Sequence, residues 1–259
     1  MTYFFRDFIC TSNIKTSNLI MRYIASLVYV LIVFIFSCKK NSEQPNDNHV
    51  KVADADGNVY PTIRVGNQIW MKENLKTTKF NDGTPITEYS FAIHGSNWLN
   101  SNSPKALYRW ADTKDLNNIH AAPLPFDYYG AMYNHLAIES GKLAPAGWRI
   151  PTQQDFIILK NYLANNGQAG KEARALKSSS GWLTLSGNGI DAIGFRGLPN
   201  GYVNAVGGAT LAEGICSWAT TDFNPTNQTR KLVQLFDKDT ILILDNPIQI
   251  GAGIRCVKE

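Results

Sequence analysis

The stretch Pro145-Ala-Gly-Trp-Arg-Ile-Pro-Thr-Gln-Gln-Asp-Phe-Ile-Ile-Leu159 constrains the fold more than any other part of the chain. Gly147 and Pro151 interrupt regular structure on either side of an apolar pair, Trp148 and Ile150. Thr152 is placed as a helix N-cap, and Asp155, three residues on, makes a variant of the capping box. The Asp155 carboxylate also falls in the first turn, where the helix dipole favours negative charge. Phe156, Leu159 and Leu163 follow at helical spacing, with Lys160 along the rim on its methylene stem. The pattern predicts one helix from about Thr152 to Ala164, pinned to a core through Trp148 and Phe156.

The N-terminal part has the layout of a secretion signal. Arg22 is its positive region, Tyr23 to Phe36 its apolar run, and Ile35-Phe36-Ser37-Cys38 is similar to a lipobox. On this reading Cys38 is lipidated and tethers an exported protein to a membrane, at the outer membrane or cell surface. The rival reading is an uncleaved anchor, although the run is short of the roughly 20 residues that span a bilayer. Met21-Arg22 is a natural beginning for such a signal, so residues 1–20 read as an over-extended frame, with a long positive region as the alternative. Residues 21–38 are then the signal peptide. Residues 39–50 are a polar tether that buries too little to order itself, and residues 51–259 form one domain.

Beyond Cys38 the chain carries 22 basic and 20 acidic residues. Such a balance, with no basic run, argues against nucleic acid as a partner. Within the domain, Asp54-Ala-Asp-Gly-Asn58 reads as a turn. It has the start of a calcium loop but lacks the Glu expected at the loop's end, where Val65 stands. Val59–Val65 and Gln68–Met71 flank Gly66-Asn67 as a hairpin, with Pro61 keeping the first strand at an edge. Residues 90–129 read as ordered loops packed by aromatic rings. Gly170 to Lys177 is a second, short helix, Phe195–Tyr202 a glycine-broken strand region, and Ile215 to Thr221 a buried strand. Lys231–Phe236 and Thr240–Leu244 form a hairpin, and Gly253–Val257 a final strand.

Several blocks resemble one family in sequence order. Gly66-Asn-Gln-Ile-Trp-Met-Lys-Glu-Asn-Leu75 is similar to its opening signature and Tyr129-Gly-Ala-Met-Tyr-Asn134 to its next block. Leu143-Ala-Pro-Ala-Gly-Trp-Arg-Ile-Pro-Thr152 with Asp155-Phe156 is similar to its central motif, where Trp more often replaces Phe156. Gly194-Phe195, Ser217-Trp-Ala-Thr-Thr221 and Gly253-Ile-Arg-Cys-Val-Lys258 follow. The family is the Fibrobacter succinogenes major paralogous domain of Bacteroidetes-type surface lipoproteins. The resemblance covers nearly all of residues 52–259. It implies an α+β, C-type-lectin-like fold: a mixed, mostly antiparallel sheet with two helices and long ordered loops. Fold alone does not fix function.

No catalytic constellation can be assembled from the sequence. The four histidines, 49, 94, 120 and 135, have no zinc-site spacing. There is no nucleophile elbow and no P-loop, and no cofactor or metal is implied. Formylglycine-generating enzymes share the lectin-like fold and use a pair of reactive cysteines. Here Cys216 and Cys256 sit in no matching motif, so an oxidase of that type is the lesser reading. The favoured reading is a non-catalytic binding module for a glycan or a surface protein. A coat or spacer protein without a small ligand is the third. Aromatic side chains in the loops, Trp98, Tyr108, Trp110 and Tyr128, are the candidate ligand contacts, because rings give large contact area at low entropy cost. Export also makes Cys216 and Cys256 candidates for a disulfide, against the alternative of two buried thiols.

Overall fold

The computed structural model describes residues 51–96, 98, 105–111, 124–236, 239 and 241–259. The signal, Cys38 and the tether lie outside the described residues. Residues 49–259 form a compact unit of their own.

Alternation of apolar and polar residues builds two main sheets. The first strands, β1 (Val52–Ala53) and β2 (Val59–Tyr60), pair antiparallel around the Asp54–Asn58 turn. The Asp54 carboxylate closes that turn itself, accepting from the backbone N–H of Asp56 and Asn58 at 3.0 Å and from the Tyr60 hydroxyl at 2.5 Å. The hairpin then forms around Gly66-Asn67 as its sequence predicts, with β3 (Thr62–Val65) against β4 (Gln68–Met71). With β8 (Trp148–Arg149) and β15 (Val257–Lys258) it makes a four-stranded sheet in the order β3-β4-β15-β8. The strand after Pro61 is thus an edge strand, as a residue without an N–H requires.

The larger sheet has seven strands. It uses β5 (Thr87–Glu88), β6 (Leu107–Trp110), β7 (Ala131–Tyr133), β11 (Cys216–Asn224), β12 (Thr229–Leu235), β13 (Leu242–Pro247) and β14 (Ala252–Gly253), in the order β13-β12-β11-β14-β7-β6-β5. Its pairs are antiparallel except β11 with β14 and β5 with β6. A small ribbon, β9 (Tyr202–Val203) with β10 (Ala209–Thr210), is bridged through Val203 to Gly251, just before β14. Apart from β9, residues 195–202 are loop and not the strand region expected. The result is the mixed, mostly antiparallel architecture that the family resemblance implies.

Four α-helices are present among the described residues, where two were expected: α1 (Phe91–His94), α2 (His135–Glu139), α3 (Gln153–Leu163) and α4 (Glu172–Leu176). The additional two are single turns; Asn134 caps α2 by accepting from the Ala137 N–H. The long helix α3 begins as predicted. Asp155 N–H donates to Thr152 Oγ1 at 3.2 Å, and Thr152 N–H to the Asp155 carboxylate at 2.7 Å. It runs into a π-helical turn, Ala164–Gln168, ended by Gly167 at φ 82°. Its buried face, Phe156, Leu159 and Leu163, joins Val65, Trp70, Trp218, Val233 and Leu235 in one core cluster. Trp148 and Ile150 enter another, with Met71, Tyr133 and Ile254. The junction therefore pins two cores, not one.

Two further expectations are corrected. The final strand Gly253–Val257 is broken: β14 ends at Gly253 in the seven-stranded sheet, and β15 begins at Val257 in the other. In the gap, the carbonyls of Ile254 and Cys256 accept from Leu75 and Met71 while Arg255 turns into the interior. The candidate bridge between Cys216 and Cys256 is not made, and both are free, buried thiols. Cys216 packs with Trp218 and Phe156, Cys256 with Met71 and Ile254, so they belong to different core clusters.

Candidate functional site

The geometry centres on Arg255, which is 0% exposed. Its Nε donates to Asn74 Oδ1 at 2.9 Å, and its Nη1 to the carbonyls of Lys72 at 2.7 Å and Phe195 at 2.6 Å. Nη2 reaches the Arg196 carbonyl at 3.4 Å. The rings of Phe195 and Trp218 lie 4.9 and 5.3 Å from the guanidinium carbon. Burial lowers its pKa to about 10, which still leaves it charged at neutral pH. Asn74 Oδ1 also accepts from Trp218 Nε1 at 2.8 Å, while its Nδ2 donates to the Tyr129 carbonyl at 2.9 Å. Gly130 passes so close that an added Cβ would meet the Asn74 Cβ at 2.6 Å. The blocks at Asn74, Tyr129, Phe195, Trp218 and Arg255 thus meet in one buried network.

That network carries a surface cleft of about 180 Å³, walled by Glu73, Lys76, Asp127, Tyr128 and Arg196 over Asn74. The Lys76 ammonium meets the Asp127 carboxylate at 2.9 Å, and Arg196 lies 3.7 Å from Glu73. The Arg196 guanidinium stands 5.9 Å from the centre of the Tyr128 ring. Arg196 itself is in the left-handed region at φ 54°, uncommon for a residue with a side chain. Two bonds hold it there: its N–H donates to Asp191 at 2.7 Å, and its carbonyl accepts from Arg255. The cleft is therefore a set of charged groups of both signs beside one aromatic ring, on a floor fixed from inside.

The aromatic candidates divide. Trp98 is fully buried, edge-on to Tyr89 at 5.3 Å, and fills the space that a side chain at Gly251 would need. Tyr108 is also core; burial and then Glu88 raise its pKa to about 12. Neither is a surface contact, because both close gaps between loop and sheet. Trp110 and Tyr128 are half-buried. Trp110 stands edge-on to Phe126, which is 63% exposed, at 5.1 Å; Tyr128 lies in the cleft. Glu73, Lys76, Asp127 and Arg196 were not among the residues the sequence singled out. Only Tyr128 marked their meeting place.

A second groove, of about 400 Å³, follows the strand-to-helix junction past Asn81, Arg149, Thr152, Thr221 and Glu259. Its one guanidinium is already engaged: Arg149 binds Asp155 through two bonds of 2.6 and 2.8 Å. The two thiols are buried, and desolvation pushes the pKa of each well above that of a free thiol. Among the described residues no cluster of three or more metal-ligating side chains occurs.

A model of the Fibrobacter succinogenes major domain matches residues 63–258. The match spans well over half of the chain, and the chain belongs to that family. No curated protein and no solved structure matches it.

Proposed function

We propose that this Fibrobacter succinogenes major domain is a non-catalytic binding module of a lipid-anchored surface protein, and that the Tyr128 cleft takes a glycan. The observation that carries this is one half-buried ring among Glu73, Lys76, Asp127 and Arg196 on a preformed floor. A sugar offers an apolar ring face together with a dense girdle of hydroxyl donors and acceptors. An aromatic ring answers the first, and carboxylates, ammonium and guanidinium groups answer the second. The space suits a single sugar ring. A fixed site loses little ordering entropy when it binds.

The C-type-lectin-like likeness of the family fits this reading, without calcium in the recognition. The oxidase reading is weakened because thiolate chemistry needs an exposed, low-pKa cysteine, and neither Cys216 nor Cys256 is one. Lipidation at Cys38 supplies the surface location; mass spectrometry of the mature N-terminus checks it, and an unmodified peptide across Ser37-Cys38 would refute it.

A glycan and protein array on residues 49–259, followed by calorimetry on each hit, tests the function. Tyr128→Ala is expected to weaken glycan binding about tenfold or more, since one stacked ring contributes on the order of 1.5 kcal/mol. Trp110→Ala is expected to leave it within about twofold. Glycan binding that ignores Tyr128→Ala moves the site elsewhere. Binding to proteins alone gives the module the other ligand class, and no ligand at all favours the spacer.

A further inference from the structure

A cavity of about 400 Å³ lies at the β13 end of the seven-stranded sheet, away from the residues of the Tyr128 cleft. Register explains how it arises. Gln234 on β12 pairs with Leu242 on β13. Val233, Leu235 and Ile243 face the cluster packed under α3. By the two-residue period of a strand, Gln234, Leu242 and Asn246 project from the other face. No helical residue lines the cavity there. Tyr202, Leu211 and Ile250 instead form the facing wall.

Four observations bear on what the cavity holds. No charged side chain lines it, and its walls are mostly apolar. Its volume is in the range of small-molecule sites, which combine apolar walls with a few polar groups. Besides Tyr202, its polar side chains are two amides with spare capacity: Gln234 Nε2 donates to Ser217 and Asn246 Nδ2 to the Leu244 carbonyl. No described hydrogen bond uses either amide oxygen. The rim is also built under strain. Leu211 is held at φ 56°, in the left-handed region, with its side chain 51% exposed. Leucine rarely accepts that conformation, and such outliers collect at ligand sites.

We propose that this cavity binds a neutral, mostly apolar small molecule carrying a hydroxyl or N–H donor. The walls supply apolar contact, and an amide oxygen of Gln234 or Asn246 accepts from the donor. A charged molecule is excluded, because nothing in the lining compensates the loss of its hydration.

Phenylnaphthylamine, a neutral aromatic amine whose fluorescence rises on leaving water, tests this with the unit His49–Glu259. Anilinonaphthalene sulfonate is nearly the same molecule with an added charge. The expected result is one saturable site for the amine and binding of the sulfonate about tenfold weaker or worse. Leu242→Lys, which puts an ammonium into the wall, should weaken the amine by a similar factor. Leu185→Lys removes the most exposed large apolar side chain among the described residues, at 94%, outside the cavity, and should change nothing. If Leu242→Lys loses its thermal unfolding transition, Asn246→Lys on the same wall replaces it. The proposal is overturned by any of three results: no saturable site for the amine, equal affinity for the sulfonate, or binding untouched by the folded wall variant.

Discussion

Arg149 lies on β8 and Arg255 just before β15, the strand beside it, where Val257, two residues beyond Arg255, pairs with Arg149. They are satisfied in opposite ways. The Arg149 side chain is 41% exposed and has a carboxylate, Asp155, held in a two-pronged pair. Arg255 is fully buried and has none. Its charge is spread over an amide oxygen, three carbonyls within 3.4 Å and a fourth, that of Met71, at 3.5 Å, and two ring faces. The difference follows from hydration. A carboxylate placed beside Arg255 would itself have to be stripped of water, and that cost can exceed the attraction. Carbonyls that must find donors anyway carry no such second penalty. At the rim, water still serves part of Arg149, so an acidic partner there is cheap.

The largest expected effect is on the buried side. Arg255→Met removes every donor of the network while keeping much of the side chain's bulk. The carbonyls of Lys72, Phe195 and Arg196 lose that donor in the interior. A loss of about 3–5 kcal/mol is expected in urea unfolding. Arg255→Lys should recover little, because an ammonium cannot reach the same set of acceptors with a planar fork. A loss below about 1 kcal/mol for Arg255→Met would mean that the network is ornamental and the apolar clusters alone hold the sheets together.

At the rim the effect is smaller and depends on pH. Asp155→Asn keeps the shape of the cap but discharges it, with an expected loss of about 1–2 kcal/mol at pH 7. Burial alone would raise the Asp155 pKa, but the bonds from Arg149 and Thr152 outweigh it and leave the carboxyl below its ordinary 3.8. A carboxyl depressed on folding stabilises the protein above the unfolded pKa, and that gain is lost as pH falls through the folded value. The wild type should therefore lose stability below about pH 4 toward the level of Asp155→Asn. Parallel pH profiles for the two proteins would show that the Asp155 charge contributes nothing.

This contrast marks what could be seen in the sequence. Thr152 and Asp155 act within one turn of helix, so their pairing was written in adjacent residues. The hairpin at Gly66-Asn67 was equally legible, because its pairing is local. Asn74 and Arg255 meet across 181 positions, and no local pattern announces such a contact. The same holds for the cleft, where Glu73, Asp127 and Arg196 come from three separate segments. Ring type was also ambiguous. Trp98 and Tyr108 have the same composition signal as Trp110 and Tyr128, and only the packing distinguishes core plugs from rim rings. The broken final strand was hidden for a related reason: Ile254 and Cys256 are apolar, so the run reads as continuous until Arg255 is seen to turn inward.

A third arginine sharpens the comparison, because it stands between the extremes. Arg230 is 3% exposed, yet its Nη2 reaches the Glu139 carboxylate, which is 43% exposed. The same nitrogen donates to His135 Nδ1 at 3.0 Å, and Nη1 to the Thr220 carbonyl at 2.6 Å. An arginine can only donate, so His135 Nδ1 carries no proton here. Burial, and then the Arg230 charge, push the His135 pKa below its ordinary 6.5, while Glu139 pulls it back up. The unfolded chain takes up a proton near pH 6.5 that the folded protein declines. Stability must then fall as pH drops from about 6.5 toward the folded value. His135→Gln cannot titrate and should be flat over that interval. The two acid-sensitive windows are separate, since Asp155 acts only below about pH 4. Unfolding free energies at half-unit steps from pH 8 to 5 will read the upper one alone. A wild-type profile no steeper there than that of His135→Gln would place His135 outside the reach of Arg230. The guanidinium charge would then be absorbed entirely by Glu139 and Thr220, and Arg230 would belong with Arg149, not between it and Arg255.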